Sequence, residues 1–133
     1  RIFYSFGKNN SLLLENNQIF KLDCKKKTPK GEIIALTNHT DPPKIILDKL
    51  KEFGVTSFRK LSSSYKYCVI ATGEYDLYVD KVRANEWDDA AGHAIAESAG
   101  AIVTNLESES FKYGNEDYKN PTILIRRSNN LNA

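Results

Sequence analysis

A chain of 133 residues with 41% hydrophobic and 27% charged side chains is the size of one domain and carries enough apolar material for a packed core, which excludes a disordered composition. Nineteen basic against 17 acidic residues leave a net charge of +2, too balanced for bulk attraction to nucleic acid or to a membrane surface. Cys24 and Cys68 stand too far apart for a CxxC redox pair or a zinc ribbon and read as reduced, partly buried thiols, and no long uncharged apolar run occurs. The opening Arg1-Ile2-Phe3-Tyr4-Ser5-Phe6-Gly7 has neither a starting methionine nor a signal-peptide apolar region. The expectation is a cytoplasmic protein whose chain opens inside a strand, cut from something longer.

Residues 2–6, 12–15 and 18–22 read as short extended runs divided by Gly7-Lys8-Asn9-Asn10 and Asn16-Asn17, a hairpin or meander. The stretch 24–32, with Lys25-Lys26-Lys27, Pro29 and Gly31, reads as a linker, and a domain boundary is expected at about residue 30. Residues 33–36 form an apolar strand, and Asp41-Pro42 supplies an N-cap with proline at the first helical position. Ile46, Leu50 and Phe53 then recur at helical spacing up to Gly54. A strand follows at 55–58. Ser62-Ser63-Ser64 opens a second helix running to Gly73, and 75–79 alternates as a strand. In the third helix Trp87, Ala90, Ala91, Ala94, Ile95, Ser98 and Ala99 make an apolar or small stripe, with Asp89, His93 and Glu97 elsewhere and His93 placed at the surface. Strands at 101–103 and 122–125 complete the pattern. Strands alternating with helices predict an α/β layered fold, a mostly parallel sheet flanked by helices, preceded by a β-hairpin from a neighbouring antiparallel sheet.

The segment Glu86-Trp87-Asp88-Asp89-Ala90-Ala91-Gly92-His93 puts carboxylates in the first turn of a helix whose next residues are small. A carboxylate there can coordinate a hard cation through oxygen, and the positive end of the helix favours a phosphate beside it. The plainer account is that Asp88 and Asp89 cap the helix.

Trp87-Asp88-Asp89-Ala90-Ala91-Gly92, with Ala99-Gly100-Ala101 at the helix end, resembles the carboxyl-terminal signature of the inositol monophosphatase superfamily. Residues 61–73, then Tyr113-Gly114, Glu116-Asp117 and Asn120-Pro121, are similar to the branch that contains 3'(2'),5'-bisphosphate nucleotidases. The likeness runs over nearly the whole chain. It implies a phosphatase using Mg2+ to hydrolyse a small-molecule phosphate ester, with residues 1–30 as the terminal strands of a truncated amino-terminal domain and 31–133 as the carboxyl-terminal α/β domain. Asp88 matches the family's metal-ligating aspartate. The Glu-Glu and Asp-Pro-Ile-Asp-Gly-Thr-like segments that bring its other ligands are not found here, so no catalytic residue is assigned in this chain and the missing domain is expected to be required. The nucleotidase branch suggests His39, Ser63 and Lys66 as substrate contacts; taken alone these read as a solvated residue, a helix cap and a surface lysine.

One position departs from that branch. Where it carries an arginine, this chain has Asp80, which resembles the carboxylate with which inositol phosphatases bind substrate hydroxyls and which would repel a second phosphate. Lys81 and Arg83 are displaced substitutes. The expected substrate is adenosine 3'(2'),5'-bisphosphate, with an inositol or sugar monophosphate as the alternative. A non-catalytic binding domain is the alternative of another class.

Overall fold

In the computed structural model, which describes residues 1–25, 32–81, 83–128 and 131, the opening turns are made by the residues suited to them. Asn9, Asn16 and Asn17 all take positive φ, a region asparagine tolerates better than most side chains. They fold Ile2–Ser5 (β1), Ser11–Glu15 (β2) and Gln18–Lys21 (β3) into an antiparallel sheet in the order β1-β2-β3. The expected hairpin is thus a three-stranded meander. Phe3 lies opposite Leu13, and both pack with Leu22, Ala71, Ile95 and Ala99 in a small core. Ile2, Leu14 and Ile19 pair across the strands on the other face, where Ile2 and Ile19 are exposed.

The expected boundary at about residue 30, with most of the lysine-rich linker, lies outside the described residues. Cys24, assigned to that linker, is instead fully buried, its thiol 3.2 Å from the carbonyls of Ala99 and Arg127. Burial pushes that thiol up to about 11.

The second sheet contains Ile34–Thr37 (β4), Ser57–Lys60 (β5), Leu77–Asp80 (β6), Ile102–Thr104 (β7) and Ile123–Arg126 (β8). Its helices are Lys44–Glu52 (α1), Tyr65–Ala71 (α2) and Glu86–Ser98 (α3). The strand order is β5-β4-β6-β8-β7. β4 runs parallel to β5 and β6, whereas β8 is antiparallel to β6 and β7. The layered α/β fold therefore has a mixed sheet. Parallel neighbours need a crossover connection, usually a helix, and no helix stands between β7 and β8, so β8 returns reversed.

Strand alternation divides the core. Leu36, Tyr78, Ile123 and Ile125 face α2 and α3 with Tyr67, Ile70 and Ala96. Ala35, Leu77, Val79 and Leu124 face α1 with Ile46, Leu50 and Phe53. At one end of the sheet the buried Arg127 donates to Asp76 Oδ1 at 2.7 Å and to the Cys24 carbonyl at 3.2 Å, while Asp76 Oδ2 accepts from the Ile34 amide. This ion pair ties β4, β6 and β8 to the segment leaving the first sheet. No helix among the described residues is long and apolar enough to cross a membrane.

Two details of the helices correct the sequence reading. α1 starts at Lys44 with Pro43, not Asp41, at the N-cap position, its backbone extended. Pro42 cannot be the first helical residue because the proline after it disfavours helical dihedrals. In α3 the expected stripe is split: Trp87, Ala90, Ala91 and Ala94 are exposed, Ile95 and Ala99 pack into the small core, and Asp89 and Ala96, outside the stripe, are buried. What faces α2 is Gly92, where a β-carbon would fall onto the buried ring of Tyr67. An alanine usually favours a helix over glycine by about 1 kcal/mol, but overpacking a core costs about 1–3 kcal/mol. Gly92→Ala should therefore destabilise the chain by up to about 2 kcal/mol, read as a lower urea midpoint at unchanged slope; a higher midpoint would contradict this packing.

Candidate functional site

The chain leaves β4 for β5 through α1 on one face and returns from β5 to β6 through α2 on the other. Strand order thus reverses between β4 and β6, and the carboxyl ends of strands at such a point open a crevice. Asn38 follows β4 there and Asp80 ends β6. A cleft of about 420 Å³ lies at this edge, lined by both residues, by Ser62, Ser64 and Lys66 around the start of α2, and by Trp87, Asp88 and Asp89 from the first turn of α3.

Lys66 is 8% exposed. Its Nζ lies 5.2 Å from the ring centre of Tyr67 and 5.1 Å from that of Tyr78, a cation–π setting that favours the ammonium where water is scarce. The nearest carboxylate, Asp89 Oδ1, is 3.8 Å away, beyond hydrogen-bond distance. Burial lowers the Lys66 pKa, and Asp89, Asp80 and Asp88 oppose that shift. Asp89 is itself 2% exposed and accepts from Asn120 Nδ2 at 2.9 Å. The carboxylate of Asp80, equally buried, lies 3.2 Å from His39 Nε2 and accepts from the Tyr78 hydroxyl at 3.1 Å. Burial raises the pKa of the Tyr67 and Tyr78 phenols.

Of the residues singled out in the sequence, Lys66, Asp80 and Asp88 line one cleft. His39 reaches it only through Asp80. Ser63 is not among the lining residues; its Oγ accepts from the Tyr65 amide at 3.2 Å, the local turn bond typical of serine before a helix. Asp88 is exposed, and its Oδ2 accepts from the Asn85 amide at 3.0 Å, so the capping account of this residue is realised in the structure. Sequence alone does not separate Asp89 from Asp88, because adjacent acids in a first turn look equivalent; rotation of about 100° per residue separates them, and Asn120 holds the second one inside.

His93, expected at the surface, is half-buried. Its ring packs edge-on against Phe111 at 5.5 Å, and Nδ1 lies 2.7 Å from the Tyr113 hydroxyl.

Among the described residues no group of three or more His, Cys, Asp or Glu side chains is placed to hold a metal ion. A hard cation such as Mg2+ needs near-octahedral oxygen ligands. Asp88 suits it as one ligand, but the residues present do not complete such a site.

The sequence profile of the inositol monophosphatase family matches residues 3–132. The 3'(2'),5'-bisphosphate nucleotidase CysQ of Escherichia coli (strain K12) is 36% identical over 94 residues, 70% of this chain and 37% of that protein. The crystal structure of CysQ from Bacteroides thetaiotaomicron superposes with a TM-score of 0.62 at 33% identity, covering 75% of this chain and 39% of that one. Inositol monophosphatase II from Staphylococcus aureus shares the fold, with a TM-score of 0.59 at 22% identity over 84% of this chain and 41% of that one. The chain thus spans 37% of the length of the curated CysQ relative.

A pH dependence follows from His93. Burial lowers its pKa below the ordinary 6.5, against the opposing charges of Glu97 and Asp89. The unfolded chain then takes up the proton first as the pH falls, so the contribution of neutral His93 is full above 6.5 and is lost below it. Between pH 7 and pH 5 the urea midpoint of the wild type should fall further than that of His93→Gln. Parallel falls would show that His93 does not titrate in this way.

Proposed function

The chain belongs to the inositol monophosphatase family, and from that premise we propose that it forms part of a Mg2+-dependent phosphatase that removes the 3' (or 2') phosphate of adenosine 3'(2'),5'-bisphosphate. The observation that carries this reading is the placing of Lys66. It is a buried ammonium in an open cleft with no carboxylate within hydrogen-bond range, which leaves its donors for an anionic ligand. Identity of 33–36% to proteins named as bisphosphate nucleotidases supports the substrate class. When bound, magnesium neutralises phosphate charge and activates water. Asp88 would give it one oxygen ligand, and the described residues do not supply the rest. Lys66 holds the substrate's second phosphate, and the wall made by Asp80, His39 and Tyr78 orients the part of the substrate that does not react.

Asp80 favours a second reading. A carboxylate fixed by His39 and Tyr78 at the cleft wall suits the hydroxyls of an inositol or sugar monophosphate and repels a second phosphate.

Phosphate release tests the shared chemistry, and kcat/KM of variants separates the two readings. The purified 133-residue chain should release no phosphate from either substrate at a useful rate, since one carboxylate does not build a metal site; robust Mg2+-dependent release would overturn that. In the enzyme that contains this chain, Asp88→Asn should remove most of the turnover. Lys66→Gln should lower kcat/KM for adenosine 3',5'-bisphosphate about ten- to a hundred-fold, the loss of a charge-assisted contact of about 1.5–3 kcal/mol, and hardly change it for an inositol monophosphate. Small, equal effects of Lys66→Gln, with Asp80→Asn abolishing inositol phosphate hydrolysis, would decide for the second reading. Full turnover in Asp88→Asn would leave that residue as a cap.

A further inference from the structure

Lys66 and Asp89 are both buried and carry opposite charges, yet they do not close into a tight ion pair. Nζ stands 3.8 Å from Asp89 Oδ1. Buried groups of opposite charge this near usually close to a charge-assisted hydrogen bond of about 2.7–2.9 Å, so something holds these two apart. Asn120 supplies the restraint. Its Nδ2 donates to Asp89 Oδ2 at 2.9 Å. Asn120 is itself fully buried and fastened through its backbone, the amide donating to the Ala84 carbonyl at 2.9 Å and the carbonyl accepting from Arg83 Nε at 2.9 Å. Asp89 Oδ1 is buried with no hydrogen-bond partner among the described residues, which leaves the nearby ammonium to compensate its charge. All these contacts lie within the chain, so they do not depend on protein outside it.

We propose that Asp89, set back by Asn120, is a positioning residue that keeps the Lys66 ammonium in the cleft with its donors open to the second phosphate of the substrate. The inference rests on the nucleotide reading above and adds the residue through which Lys66 works. At 3.8 Å the carboxylate attracts the ammonium without accepting a hydrogen bond from it. Burial lowers the Lys66 pKa, and among the charges that oppose this Asp89 is the largest. A lysine stem is long and flexible. Without Asp89 the ammonium has two other carboxylates of the cleft to turn to, Asp80 and Asp88. Without Asn120, Asp89 is released to close on Lys66 and accept its hydrogen bonds. Either change takes the ammonium away from the phosphate.

The experiment measures kcat/KM of the enzyme that contains this chain on adenosine 3',5'-bisphosphate and on adenosine 3'-monophosphate, which differ only in the second phosphate. Wild type is compared with Asp89→Asn, Asn120→Ser, Lys66→Gln and the two double variants that combine Lys66→Gln with each of the others. The ratio of the two kcat/KM values is read, because a disturbed fold or metal site lowers both alike and leaves it unchanged. Asp89→Asn, which nearly preserves shape, and Asn120→Ser should each lower the ratio about ten-fold through KM, the weakening of one charge-assisted contact. Neither should lower it further once Lys66→Gln is present. A urea midpoint for each variant confirms that folded protein is compared. A raised ratio in Asp89→Asn would show a carboxylate that only repels phosphate, and equal losses on both substrates would show a structural residue; each overturns the role, as do losses that add to that of Lys66→Gln. If Lys66→Gln lowers the ratio and Asp89→Asn does not, the positioning role alone falls. If Lys66→Gln itself leaves the ratio unchanged, the reading that Lys66 holds the second phosphate falls, and the role with it.

Discussion

The arrangement of the cleft depends on how closely α2 and α3 approach. At Gly92 there is no room for a β-carbon, because the ring of Tyr67 occupies that space. The contact sets Tyr67 on α2 against the middle of α3, and so fixes the two neighbours that matter. Lys66, one residue before the ring, is carried into the interior. Asp89, one turn before the glycine, is turned towards it. A side chain at position 92 would push the helices apart and with them the ammonium and carboxylates of the cleft.

Around this contact the charges are unequal. Asp80, Asp88 and Asp89 face one ammonium, that of Lys66. Carboxylates gathered in a partly desolvated cleft repel an anionic ligand, so a phosphate ester needs further positive charge to enter. The Mg2+ of the proposed function would meet that need. The same balance explains why Asp89 accepts from Asn120 and Asp80 from Tyr78 beside His39: each buried carboxylate has donors besides the ammonium, which pairs with Asp89 only at 3.8 Å.

Rigidity comes from the opposite end of the sheet. The pair between Arg127 and Asp76 joins β4, β6 and β8 to the segment around Cys24, and breaking such a buried pair by removing one partner costs about 3–5 kcal/mol. The strands are thus pinned at the edge away from the cleft, while at their other ends they present loops and helix starts. Function is free to reside there because the structure does not need those residues for its main ties.

Local and periodic properties were legible in the sequence. Apolar spacing marked all three helices and most strands to within two residues, and the Trp87-Asp88 signature, with the nucleotidase-like stretch 61–73, led to the family and to Lys66, Asp80 and Asp88 before any geometry was known. Chain neighbours and side-chain type suffice for such features. Tertiary contacts decided the rest. The reversed direction of β8 follows from what the chain does between distant strands. The burial of Asp89 follows from Asn120, 31 residues away, and the partial covering of His93 from Phe111 and Tyr113. The small stripe of α3 reads as one face in the sequence, yet Ala90, Ala91 and Ala94 are exposed, Ile95 and Ala99 pack inward and Gly92 makes the close contact with α2, because which side of a helix is buried depends on where its neighbours lie. The ring pair of Trp87 and Tyr118 has no trace in local pattern, since a loop held by Glu86 brings together rings that the chain places 31 positions apart.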